Sequence, residues 1–257
     1  MSAARPAPSA QGGSLRARYD DARVPAPSRA EVDWLADRLP RDAGPVLDAI
    51  CGSGRRLVAL AARGIAIHGA DASAASLALA QAHLDAAGLA ATLYRQGLAA
   101  LNLPMRYAAA ILDGAAFARI VDPFAAREAL ARLRAHLVAP GILLVDAPLP
   151  VYARTRPGAP LVELTSVVLP DGSQIRLRSE TSVDADAKLA RTEARYTHRL
   201  GARSLGEEHA RGAITWRDAD EWRELLEGAG FREIAATTSP REQGAGNDAD
   251  LALVARA

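Results

Sequence analysis

Two glycines and two aspartates in the stretch VLDAICGSGRRLVALAARGIAIHGAD carry the first chemistry legible in this chain. Gly52 and Gly54 allow a tight turn and a close backbone approach to a ligand, and the helix start after them offers unpaired N–H groups. Asp48 lies inside the apolar run before the loop, and Asp71 closes the next one. A carboxylate at such a strand end can accept both hydroxyls of a ribose. The spacing therefore points to an adenosine-containing ligand at the carboxyl ends of parallel strands. A nicotinamide-dependent dehydrogenase would use the same parts. Its fingerprint, however, needs a third glycine where this chain has Leu57.

Those residues need a frame, and the hydrophobic pattern supplies one. Ser28 and Glu31 form a capping box before the apolar stripe Val32, Leu35, Ala36 and Leu39. PVLDAI, IAIHGAD, ATLYRQG, YAAAILDG and ILLVDA read as strands. Helical stretches over about 54–62, 73–87 and 123–137 separate them, with Gly64 and Gly88 as stop signals for the first two. Strands alternating with helices of this length predict an α/β fold, a doubly wound and mostly parallel sheet of seven strands in a Rossmann-like arrangement. After Pro150 the rhythm changes. LVELTSVVL and QIRLRSETSV flank PDGS, and Ile175, Leu177, Ser179 and Thr181 alternate with Arg176, Arg178, Glu180 and Ser182. This is a β-hairpin with one wet face, and KLARTEARYTHRL and EEHARGAIT add two more strands. Thr215 and Asp218 are expected to cap a helix over 216–227, and FREIAATT and LALVARA end the chain as strands around a polar, glycine-rich loop. The expected organisation is a leader at 1–14, a ligand-binding part at 15–150, an antiparallel insertion at 151–215 and a completing segment at 216–257.

The chain has 257 residues, 49% hydrophobic and 24% charged, with a formal net charge of +1. Its basic residues are scattered, and all but Lys188 are arginines, so nothing builds an electrostatic footprint for nucleic acid or an anionic membrane. Cys51 is the only cysteine, which excludes an intrachain disulfide and a cysteine zinc cluster. His68, His83 and His136 show no ligand spacing, so no metal site is expected. No apolar run reaches membrane-spanning length, and MSAARPAPSAQGGS lacks the apolar core of a signal peptide, which makes the cytoplasm the expected location.

The segment VLDAICGSGRRLVALAARGIAIHGADASAASLALA resembles the first two motifs of the class I S-adenosylmethionine-dependent methyltransferases. ALARLRAHLVAPGILLVDA, EWRELLEGAGFREI and LALVARA resemble that family's later elements, and the resemblance runs from about residue 15 to the C-terminus. It implies S-adenosyl-L-methionine as the methyl donor, held by Asp48, Gly52, Gly54, Arg55, Asp71 and Tyr19. The antiparallel insertion is similar to that of the branch acting on small molecules. This implies a nitrogen or oxygen acceptor beneath a lid, and a homodimer is compatible with it. Tyr19, in RARYDDA, stands where that branch folds an N-terminal segment over the donor.

Three positions depart from the family's pattern. Ile50 replaces the first loop glycine and is expected to crowd the methionine part of the donor, so that Ile50→Gly would tighten binding. Leu98 replaces an acid that binds the adenine amino group, and Ile142 replaces a turn glycine. A degenerate relative that binds without catalysing is the alternative these changes raise.

Methyl transfer to an amine chiefly needs alignment and desolvation, whereas an oxygen acceptor also needs a base. Asp113, Tyr196, His198 and His209 are the candidates. Against this, Asp113 could simply cap a helix, and the two histidines could be hydrogen-bonded or solvent-facing strand residues. Arg56 is a second candidate beside Arg55 for the donor carboxylate, Phe117 could line the acceptor pocket or the core, and Cys51 reads as a packing residue. Asp71, at a strand end beside solvent, is expected to matter for binding and little for stability.

Overall fold

The computed structural model describes residues 14–40, 44–147, 150, 153, 158–238 and 251–257. In chain order these form α1 (Leu15–Arg23), α2 (Arg29–Ala36), β1 (Val46–Asp48), α3 (Arg55–Ala61), β2 (Ile67–Ala70), α4 (Ala74–Ala87), β3 (Leu93–Tyr94) and β4 (Tyr107–Asp113). There follow α5 (Gly114–Phe117), α6 (Pro123–Ala135), β5 (Leu137–Ala147), β6 (Leu161–Val168), β7 (Gln174–Asp184), β8 (Leu189–Leu200), β9 (Arg203–Thr215), α7 (Ala219–Gly228), β10 (Arg232–Thr238) and β11 (Leu251–Arg256).

The apolar runs of β1 and β4 are buried on both faces, as strands in a covered parallel sheet must be. Seven strands lie in the order β10-β11-β5-β4-β1-β2-β3, and β11 runs antiparallel to both of its neighbours. Alternate residues of β4 then serve two cores. Ala110 and Leu112 pack with Phe117 of α5, Leu130 of α6 and Trp222 of α7. Ala109 and Ile111 pack on the other face with Leu35 of α2, Leu57 and Leu60 of α3 and Leu84 of α4. The strand order reverses between β1 and β4, and a crevice at their carboxyl ends is where this architecture binds ligands.

β6–β9 form a separate antiparallel sheet in sequential order. The period-2 pattern of β7 is realised: Ile175, Leu177, Ser179 and Thr181 are buried and the residues between them exposed. The buried face packs against α1, where Tyr19 joins Leu169, Ile175, Leu177 and Tyr196.

Two boundaries differ from expectation. Asp218, not Thr215, caps α7: its carboxylate accepts from the Glu221 N–H at 3.0 Å, and the Glu221 carboxylate accepts from the Asp218 N–H at 2.8 Å. That reciprocal pairing satisfies two end donors, and it leaves Thr215 in β9, bonded to the Ala118 carbonyl. Ser14, placed in the leader by sequence, caps α1, accepting from the Ala17 N–H. The rest of the expected leader and most of the glycine-rich loop before β11 lie outside the described residues.

Candidate active site

The turn after β1 stands at the strand-order reversal. Gly52 and Gly54 both adopt left-handed backbone, with φ +55° and +75°, but for different reasons. A Cβ at Gly54 would sit 2.8 Å from the Ala80 Cβ, so this glycine lets the turn press against α4. A Cβ at Gly52 would meet nothing within 4 Å. Gly52 therefore opens its backbone onto free space, the property a ligand cradle needs.

Asp71 holds this turn from β2. One carboxylate oxygen accepts the Gly52 N–H at 3.0 Å and the other accepts the Ser73 N–H at 2.8 Å. The residue is only 8% exposed, so the expectation of a solvent-side acid with no structural task is corrected. Each oxygen retains a lone pair, and two hydroxyls can still be accepted.

Beneath the turn, Asp48 is fully buried and pairs with Arg56 of α3 at 3.5 Å. Burial pushes the Asp48 carboxyl above its usual range, against the pull of Arg56. Asp48, Asp113 and Asp146 surround Arg56 with negative charge and hold it protonated despite its own burial. Asp48 Oδ2 and Arg56 Nε have no hydrogen-bond partner. Arg56 is thus the counter-charge of the strand ends rather than a solvated helix residue, which spacing alone did not reveal.

Ile50 does not strain the turn. Its φ is not positive, and its side chain packs against the core formed by α5, α6 and α7. Leu98 is likewise a core residue, 5% exposed, and Ile142 packs against the opposite core. The glycine turn therefore keeps its left-handed geometry with a branched residue beside it.

Arg55 does not point its Nε at open space. It bonds Asp21 of α1 at 3.2 Å. Tyr19, on the same helix, is buried to 1%, its ring edge-on to Tyr196 of β8 with centroids 5.4 Å apart, and its hydroxyl bonds the Thr165 hydroxyl. Tyr19 is therefore ordered and ties α1 to the second sheet.

The catalytic candidates separate. Asp113 caps α5, accepting the Ala116 N–H at 3.0 Å, while its charge still reaches Arg56. Tyr196 stands behind Tyr19, and burial with the nearby Asp20 pushes its phenol up to about 12. His198 bonds the Ser173 hydroxyl at 2.8 Å, and that hydroxyl donates to Asp171 in the β6–β7 turn. Burial lowers its basicity, and its hydrogen bond is made within the second sheet. His209 is on the exposed face, paired with Glu207 at 2.6 Å. Phe117 is core, 5.3 Å from Trp222, and Cys51 is buried with its thiol pushed up by desolvation.

Asp20 escaped the sequence reading. It lies on α1 in the field of Arg16, Arg119 and Arg23, with its carboxyl raised by burial. Arg16 and Arg23 share its helix, and only folding brings Arg119, which follows α5, to it. Among the described residues no group of three or more His, Cys, Asp or Glu could hold a metal, and no helix is long and apolar enough to cross a membrane.

A family model described as a methyltransferase domain matches residues 46–141, from β1 into β5. The structure of an S-adenosylmethionine-dependent methyltransferase from Clostridium acetobutylicum superposes with a TM-score of 0.72 at 14% identity, covering 92% of this chain and 94% of that one. A sugar N-methyltransferase from Streptoalloteichus gives a TM-score of 0.72 at 19% identity, covering 100% and 98%. An amino pentose methyltransferase involved in calicheamicin biosynthesis, from Micromonospora echinaspora, gives 0.64 at 23% identity, covering 88% and 89%. No curated protein sequence matches the chain. The glycine turn with Asp48 and Asp71 thus lies within a matched methyltransferase domain, and the described residues have the fold of S-adenosylmethionine-dependent methyltransferases.

Proposed function

We propose that this protein transfers a methyl group from S-adenosyl-L-methionine to an amine of a small molecule. The observation that carries the reading is Gly52, whose left-handed backbone borders open space while Asp71 fixes its N–H at the strand-order reversal. Asp71 would take the ribose hydroxyls, and Gly52 would let the donor lie against the backbone. Asp48 and Arg56 would supply a charged floor beneath it. The donor, when bound, supplies a methyl group on a sulfonium, which a neutral nucleophile can displace.

The chain's own groups favour nitrogen as the acceptor atom. An oxygen acceptor needs a base within hydrogen-bond reach. Here His198 is engaged by Ser173, Asp113 caps a helix, and a phenol with its pKa at about 12 stays protonated at neutral pH. An amine needs alignment and desolvation, worth about 7–11 kcal/mol when complete. The second sheet and α1 would exclude water from such an acceptor. Solved proteins of this fold include sugar and glycopeptide N-methyltransferases, which supports amino sugars as the first acceptors to try.

The test is titration calorimetry with S-adenosylhomocysteine, followed by transfer of a labelled methyl group to panels of amino sugars and of hydroxylated analogues lacking the amine. Binding, with label on the amines alone, is the expected result. Label on the hydroxylated panel alone would refute the nitrogen reading, and absence of binding to folded protein would refute the enzyme.

A further inference from the structure

The glycine turn and α1 are joined by a cluster that the binding scheme does not use. Asp21 of α1 accepts from Arg55 Nε at 3.2 Å and faces His83 Nε2 at 3.5 Å. His83, on α4, also places Nδ1 2.9 Å from the Ser53 carbonyl, in the peptide between Gly52 and Gly54. A carbonyl only accepts, so Nδ1 donates to it. The His83 ring thus stands between the turn and α1, with Arg55 sharing the Asp21 carboxylate. The Asp21 side chain is only 15% exposed, so these contacts are shielded from water.

The far side of α1 is committed to the second sheet. The Ser14 hydroxyl donates to Glu208 at 2.9 Å, and Arg23 pairs with Glu163 at 2.9 Å.

We propose that Asp21 is a positioning residue: gripped by Arg55 and His83, it seats α1 against the glycine turn and sets the turn's shape for the methyl donor. The inference rests on the reading that this turn holds the donor. Arg55 then serves the donor through Asp21 rather than by binding its carboxylate.

Amide hydrogen exchange on the full, ligand-free chain tests the coupling, and calorimetric titration with S-adenosylhomocysteine tests its consequence. In Asp21→Asn the amides of Gly52 and Gly54 should exchange about tenfold faster although neither touches residue 21, because the turn opens locally. The affinity should fall about tenfold, while the melting temperature of the whole protein moves little. His83→Ala, which removes the Ser53 contact directly, should reproduce the exchange result. Faster exchange confined to α1, with the turn unchanged in both variants, would overturn the proposal and leave Asp21 a strap for its own helix. If wild type binds no S-adenosylhomocysteine, the enzyme reading fails, yet the exchange data still decide whether Asp21 shapes the turn.

Discussion

Alanine at Gly54 and alanine at Gly52 should have opposite consequences. At Gly54, φ of +75° imposes left-handed strain on any other residue, about 1–2 kcal/mol. The new Cβ would also sit 2.8 Å from the Ala80 Cβ and 3.2 Å from its Cα, and Ala80 is fully buried in α4, so α4 must move to make room. Overpacking of that kind costs about 1–3 kcal/mol, for a total near 2–5 kcal/mol. At about 2–4 °C per kcal/mol for a protein of this size, the melting temperature should drop by roughly 4–20 °C. At Gly52 only the backbone strain applies, because nothing lies within 4 Å of the added methyl. That methyl would stand where the donor is proposed to lie, so the affinity for S-adenosylhomocysteine should fall more than tenfold, or beyond about 1.4 kcal/mol. Thermal unfolding and calorimetric titration of both variants give the two numbers independently. Replacing Ala80 with glycine in the Gly54→Ala background should return part of the lost stability. Wild-type affinity in Gly52→Ala would show that the donor does not rest on Gly52, and a wild-type melting temperature in Gly54→Ala would refute the packing argument.

Asp71→Ala removes a charged acceptor from two backbone donors, at about 1.5–3 kcal/mol for each bond, so the urea midpoint should fall together with donor affinity. A loss of affinity with an unchanged midpoint would contradict the tie that Asp71 makes to the turn. Ile50→Gly removes a partly buried side chain from the core contact, at about 2 kcal/mol, the low end for deleting an aliphatic core residue. Its S-adenosylhomocysteine affinity should not improve, because the wild-type turn is not strained, and a tenfold gain would show that Ile50 does crowd the donor. Burial holds His198 below the ordinary imidazole value of 6.5. The unfolded chain therefore binds the extra proton first, and stability should fall as pH drops below that value toward the folded pKa. Replacing His198 with glutamine should flatten this part of a pH series of unfolding midpoints.

Alternation of apolar strands with helices, the period-2 face of β7, and the placing of Gly52 and Asp71 after successive strands were all legible along the chain, because each is a local property of backbone and burial. The period of a hydrophobic run says which face is wet without any partner being known. Local rules also misplaced one helix start. Thr215 and Asp218 fit the capping pattern, but Thr215 was claimed by β9 and the better reciprocal pair was Asp218 with Glu221. The core contact of Ile50 was not legible for a related reason. Its type was visible, while the direction of its side chain depended on α5, α6 and α7 packing behind it.

The sequence by itself determined the doubly wound α/β class, the place of the glycine turn and the acid that closes β2, since these depend on residues within about one strand and one helix of each other. Tertiary structure alone decided which charges meet. Asp21 finds Arg55 across 34 residues, Ser14 finds Glu208 across 194 and Tyr19 finds Thr165 across 146. A single arginine, Arg56, is made the counter-charge to strand ends drawn from β1, β4 and β5. No period or spacing encodes such meetings. They arise because the parallel sheet gathers its strand ends along one edge and α1 is laid between that edge and a second sheet, where burial makes each unpaired charge costly enough to require a partner.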